Sequence, residues 1–238
     1  LCGVAIKYTT AVRPGAARRF LVMEVSAWYT CGQGVLRLLS SNKEVFSMKL
    51  VVCFPGIGYH CDKPLLYYSR KLAAAAGYDQ EIALNYTYRK AGLRGNDAAL
   101  REAFNALYVQ AETQLATVDW KECDDVLFLS KSIGTAVAAA YARRHGVVCR
   151  HVLYTPLALT FEFAPQKAIA FLGTADPWSD VDAVAARSRA NGTPLHLYAG
   201  ANHSLETADV LGNLDALRDV MQKTQAFVAG ENFPVAEN

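Results

Sequence analysis

What this sequence lacks narrows its function first. No run approaches the about 18 consecutive apolar residues that a membrane-spanning helix needs, so no membrane span is read. Six cysteines stand at 2, 31, 53, 61, 123 and 149, but no two have C-x-x-C spacing and no histidine pair accompanies them. Neither a zinc site nor a redox dithiol is therefore predicted. Neither sign of charge dominates, with 24 Lys and Arg against 22 Asp and Glu. A chain without a basic face is poorly suited to nucleic acid as its main partner. Charged residues make up only 19% of the chain against 52% hydrophobic, which calls for a packed globular core. Cys53 and Cys149 lie inside apolar runs as free thiols, which favours a reducing compartment; the expected location is cytoplasmic.

The small net charge is unevenly placed. Residues 1–47 hold six Lys and Arg but two Asp and Glu, while residues 48–238 hold eighteen and twenty. In the first segment "VRPGAARRF" and "TCGQGV" break any helix, and "FLVMEVSAWY" is interrupted by Glu24. Met48 then stands directly before a clean apolar run, as at a natural start. Residues 1–47 are accordingly expected to be an N-terminal extension, spurious or disordered, or an arginine-bearing targeting segment. The domain proper is expected over residues 48–238.

From Met48 the chain alternates strand and helix patterns. Strands are predicted at 49–54, 81–86, 125–130, 149–155, 167–173 and 194–200. Helices are predicted from Asp62 as cap to about Ala76, from Asn96 or Asp97 with Leu100, Phe104, Leu107, Ala111 and Leu115 on one stripe, at Ile133–His145, at Ser179–Ala190 and over about Leu205–Ala229. The first strand is apolar beyond Lys49, so it should be covered on both faces. Alternation of this kind implies right-handed crossovers, a parallel sheet and helices on both of its faces.

In such sheets functional residues gather beyond the carboxyl ends of the strands. After the first strand comes "FPGIGY"; after the third, "SKSIGT" with Ser132; after the fifth, "GTADPW" with Asp176; after the sixth, "GANHSLE" with His203. A serine at a sharp strand-to-helix turn, with small residues two positions to either side, is the arrangement that exposes a nucleophilic hydroxyl. Here Ser130 and Gly134 fill the small positions, and Ser132 is equally a helix N-cap candidate. A glycine turn, a serine, an acid and a histidine at one sheet edge are the parts that serine hydrolysis needs.

These four motifs, in this order, resemble the α/β-hydrolase family over about residues 48–229. The resemblance implies a three-layer αβα sandwich around a mostly parallel six-stranded sheet, the first strand lying beside the strand that carries Ser132. It implies Ser132 as nucleophile, Asp176 as acid and His203 as base, with the amides of Ile57 and Ile133 as oxyanion hole. The activity implied is hydrolysis of a carboxylic ester, thioester or related acyl bond of a small-molecule substrate, with no metal and no organic cofactor. Two positions depart from the family pattern: Pro55 stands where a histidine is usual before the oxyanion glycine, and Ser130 where the first elbow glycine is usual.

Other residues have plainer readings. Tyr59, His60 and Trp178 are candidates to contact substrate, or to pack. Glu162 is the reserve for the acid role. Lys131 is read as a solvated elbow residue. Leu157, Leu159 and Phe161, with Trp178, are candidates for a shallow apolar wall. Only 156–166 separate the fourth strand from the fifth, too few residues for a helical lid. Gly56-Ile57-Gly58 also suits a dinucleotide turn, but Cys61 occupies the third glycine position and Asp79 precedes a strand rather than ending one. A non-catalytic binding protein on the same fold is the alternative reading. The oligomeric state is left open.

Overall fold

The computed structural model describes residues 4–12, 20–31, 34–37, 43–46, 48–89, 92–231 and 233–234, with side chains from Met48 onward. Two compact units divide the chain, Leu1–Met48 and Lys49–Asn238. The first holds four strands, β1 (Val4–Val12), β2 (Phe20–Cys31), β3 (Gly34–Arg37) and β4 (Lys43–Phe46). β2 pairs antiparallel with each of the other three.

The second unit is an αβα sandwich. Its strands are β5 (Lys49–Phe54), β6 (Gln80–Ala83), β7 (Asp125–Lys131), β8 (Arg150–Tyr154), β9 (Ala168–Gly173) and β10 (Leu195–Tyr198). They form one six-stranded sheet in the order β10-β9-β8-β7-β5-β6, parallel at every pairing. The helices are α1 (Pro64–Ala75), α2 (Asp97–Leu115), α3 (Ile133–His145), α4 (Val181–Ala190) and α5 (Val210–Val228).

Side-chain alternation along the strands sorts the core into two layers. Val51, Cys53, Leu127, Leu129, Val152, Tyr154, Ile169 and Phe171 pack with Leu65, Leu66 and Ala73 of α1 and Val220 and Val228 of α5. The intervening residues Leu50, Val52, Phe54, Val126 and Phe128 pack with Phe104, Leu107, Ala136 and Val137 of α2 and α3. α4 joins this second side through Val184, against Leu153, Ala170 and Leu172. A buried polar chain fastens α1 and α5 to β8: the Tyr154 hydroxyl lies 2.6 Å from Ser69 Oγ and 2.8 Å from Thr224 Oγ1.

Element boundaries differ from the sequence pattern where side chains intervene. β6 ends at Ala83 because the following amides turn to α2: Asn85 and Thr87 donate to the side chains of Gln114 and Gln110. Asp62 does not cap α1; Lys63 holds that position and Asp62 pairs with Arg70. α5 starts at Val210 rather than Leu205, since Leu205 sits at φ 61° and the Asp209 carboxylate accepts from the Leu211 and Gly212 amides. The residues thereby released form the loop that carries His203.

Candidate active site

The site assembles at the carboxyl ends of β5, β7, β9 and β10. β7 runs into α3 through Ser132, whose backbone is held at φ 57°, ψ −131°. That conformation is unfavourable for a residue with a Cβ, and it lifts the side chain clear of the helix end. Ser132 occupies the N-cap position, but its hydroxyl makes no capping bond. Its amide donates to the Tyr154 carbonyl at 2.9 Å, which locks the turn to the neighbouring strand.

The small residues flanking Ser132 have separate reasons. A Cβ on Gly134 would lie 2.3 Å from the Pro55 carbonyl oxygen and 2.4 Å from that of Phe54, so α3 crosses the end of β5 at a distance only glycine permits. Ser130 is accommodated because its side chain finds a buried acceptor, donating to the Val152 carbonyl at 3.0 Å. The first elbow position thus needs a small residue here, not glycine.

Asp176 and His203 come from loops that approach equally closely. A Cβ on Gly173 would stand 2.1 Å from the Ala201 carbonyl oxygen, and the Ala175 amide donates to that oxygen at 3.0 Å. The Asp176 carboxylate is buried and uses both oxygens. Oδ1 accepts from the Trp178 amide at 2.8 Å, and Oδ2 lies 2.7 Å from His203 Nδ1. The other ring nitrogen, Nε2, lies 2.7 Å from Ser132 Oγ. A carboxylate can only accept, so it selects the tautomer with the proton on Nδ1, and Nε2 then accepts from the serine hydroxyl. Burial pushes the His203 pKa below its ordinary value; the Asp176 bond pulls it up, and Lys131 repels a further proton.

The turn after β5 packs on this chain of bonds. Tyr59 donates its amide to the Gly56 carbonyl at 3.3 Å, and Gly58 at φ 73° closes the turn. Gly56 packs beside the elbow, its missing Cβ 3.1 Å from Ser132 Cβ. Ile57 and Gly58 are the central residues of the turn. The Ile133 amide is the first of α3, so it has no acceptor within the helix.

The remaining candidates fall in different places. Trp178 is 44% exposed, and its ring centroid is 5.9 Å from that of His203. Tyr59 is buried, with its hydroxyl accepting from the Leu65 amide. His60 is exposed and turned to Asp62. Glu162 lies on the surface, paired with Arg101 at 2.8 Å and Arg187 at 3.7 Å. Leu157, Leu159 and Phe161 belong to the core rather than to an apolar wall, because residues Ala158–Phe163 coil into a 3-10 turn that packs them inward. The expectation for Lys131 is overturned: it is fully buried, not solvated, because it continues the odd-numbered row of β7 into the α1 and α5 layer.

A parallel sheet in this order, with the serine at the end of β7 and helices on both faces, has the α/β-hydrolase fold. Among solved structures the chain is similar to a dienelactone hydrolase from Anabaena variabilis, at 15% identity over 94% of this chain and 96% of that one, with a TM-score of 0.51. An esterase from Pyrococcus furiosus matches at 12% identity over 94% and 92%, with a TM-score of 0.50. An α/β serine hydrolase homologue from Coxiella burnetii matches at 14% identity over 90% and 96%, with a TM-score of 0.50. No family model and no curated protein matches the chain.

Proposed function

We propose that this chain is a serine hydrolase that cleaves a carboxylic ester, thioester or related acyl bond through an acyl-serine intermediate. The observation that carries the reading is the unbroken chain Asp176–His203–Ser132, with both links at 2.7 Å. His203 Nε2 takes the proton from Ser132 Oγ as that oxygen bonds to the acyl carbon. The amides of Ile57 and Ile133 receive the oxyanion. His203 then gives its proton to the departing alcohol or thiol, which leaves with its bonding pair. Water repeats the sequence on the acyl-serine and frees the acid. Asp176 fixes the ring and offsets the charge of the imidazolium. His203 is held below the ordinary imidazole value, mainly by burial, so the base is unprotonated at neutral pH and activity should fall only on further acidification.

A fluorophosphonate should label the protein on Ser132. Ser132→Ala should lose the label and turnover of an acyl ester panel by several orders of magnitude, with an unchanged melting temperature. Asp176→Asn should retain more activity than Ser132→Ala, because it disturbs orientation without removing the nucleophile. Activity that survives Ser132→Ala but not Ser130→Ala would overturn the assignment. A wild-type protein that takes no label and turns over no ester would instead be a binding protein on this fold.

A further inference from the structure

The relay of Asp176, His203 and Ser132 makes no use of a second buried imidazole, that of His151. The relay gathers at the carboxyl edge of the sheet, whereas His151 stands at the amino end of β8. Its amide donates to the Lys167 carbonyl at 3.0 Å, which holds this end of β8 against the approach to β9. Its ring meets that of Phe128 at 88°, with centroids 5.5 Å apart. Nε2 lies 3.3 Å from Cys149 Sγ. Nδ1 has no partner among the described residues, although the residue is only 2% exposed. A buried polar atom left unpaired is costly, so its surroundings must supply something to bond it.

His151 and Cys149 line a cleft of 410 Å³, walled by Ala139 and Ala142 of α3, by Val147 and by Phe163. An apolar cavity of about 150 Å³ already holds one benzene ring, so this cleft has room for a larger ring system. A water on Nδ1 would need further polar partners, and the apolar side chains around it offer none. The Phe163 ring is held by stacking on Phe104 at 5.4 Å, and a rigid aromatic wall favours an aromatic occupant.

The polar end of that occupant follows from the imidazole. Burial pushes the Cys149 thiol up and the His151 pKa down to about 4, so both groups are neutral at neutral pH. A neutral imidazole has one N–H and one bare nitrogen. If the thiol donates to Nε2, Nδ1 carries the hydrogen; if Nε2 donates to sulfur, Nδ1 is the acceptor. A hydroxyl satisfies either case, since it both donates and accepts. Arg143 and Lys167 also line the cleft and no lining residue is acidic, which disfavours a cationic amine. We propose that this cleft is a second binding site, separate from the relay, for an uncharged phenolic compound of naphthol size, its hydroxyl bonded to His151 Nδ1 and its rings against Ala139, Ala142 and Phe163.

The test is an NMR titration of the full chain with 2-naphthol and with naphthalene, in wild type and in His151→Phe. In wild type the amide signals of Ala142 and Cys149 should move, and 2-naphthol should bind about tenfold more tightly than naphthalene, the difference of one hydrogen bond. The Nδ1 signal of His151 should shift with 2-naphthol and not with naphthalene. His151→Phe should bind the two compounds equally. Should that variant not fold, the Nδ1 signal of the wild type decides the matter alone. Equal affinities in wild type, an Nδ1 signal indifferent to 2-naphthol, or a preference that survives His151→Phe would each overturn the site. So would shifts confined to residues around Ser132, which would place the compound at the relay instead. None of these outcomes bears on the hydrolase reading, which the Ser132 label tests separately.

Discussion

At the scale of single residues, burial decides what each titratable group can do. His151 is 2% exposed on β8, and its Nδ1 has no hydrogen-bond partner among the described residues. Its Nε2 faces the thiol of Cys149 at 3.3 Å, and its ring lies edge-on to Phe128. Burial pushes its pKa down to about 4 from the ordinary 6.5. Between those two values the unfolded chain binds a proton that the folded chain refuses, so stability is lost as pH falls through that window. His151→Leu should make urea midpoints fall less steeply from pH 6.5 to pH 4 than in wild type, and a slope equal to wild type would refute this. Sequence position set His203 apart, because it follows the last strand, while His151 lies inside β8. What position could not show is that the register of the sheet turns the His151 ring into the core. Lys131 was misread for the same reason. A lysine between two serines looks solvated until its place in the row of Leu127 and Leu129 is known.

At the scale of elements, the connection from β8 to β9 bears on substrate size. Its 3-10 turn, Ala158–Phe163, spends its apolar side chains on the core and leaves none to cover an acyl chain. Among the described residues, Ile57, 37% exposed in the turn beside Ser132, and Trp178, with its ring 5.9 Å from that of His203, are apolar groups left open at the relay. An enclosed tunnel would gain about 0.8 kcal/mol for each added methylene. Side chains as open to solvent as Ile57 and Trp178 cannot enclose a chain, so that gain should end after the first few carbons. Efficiency across p-nitrophenyl esters of graded length should therefore peak at short chains and show no activation at lipid interfaces. A kcat/KM that climbs steadily to long chains would defeat the expectation. The central strands and five helices were legible because both faces of the sheet are covered there, which leaves apolar runs separated by stripes, while the edge strands β6 and β10, which keep exposed residues, carry the pattern more weakly. The starts of α1 and α5 were not legible, because capping by Asp62 and helix from Leu205 were both allowed by the pattern. Side-chain competition chose otherwise: the pull of Arg70 on Asp62, and the Asp209 cap.

At the scale of the whole molecule, every strand of the parallel sheet and every residue of the proposed relay lies at or after Lys49. The four strands before it pair with one another. A chain beginning at Met48 should accordingly remain soluble, with the ester turnover and melting temperature of the full chain; aggregation, or a melting temperature lower by many degrees, would show that the first unit supports the second. The candidate site was legible as an order of motifs along the chain, because each of its residues lies in the loop that follows a strand. What could not be read was how near those motifs come to one another. That proximity is set where main chain meets main chain, at Gly134 against Phe54 and Pro55 and at Gly173 against Ala201. Such contacts place almost no demand on side-chain identity beyond a missing methyl group. Mutational drift can therefore rewrite the surface loops and the helix faces while the spacing of serine, acid and base stays fixed to the pitch of the sheet. The fold of this molecule is held by backbone-to-backbone distances more than by letters, which is why its likeness to solved structures is visible in three dimensions at only 12–15% identity.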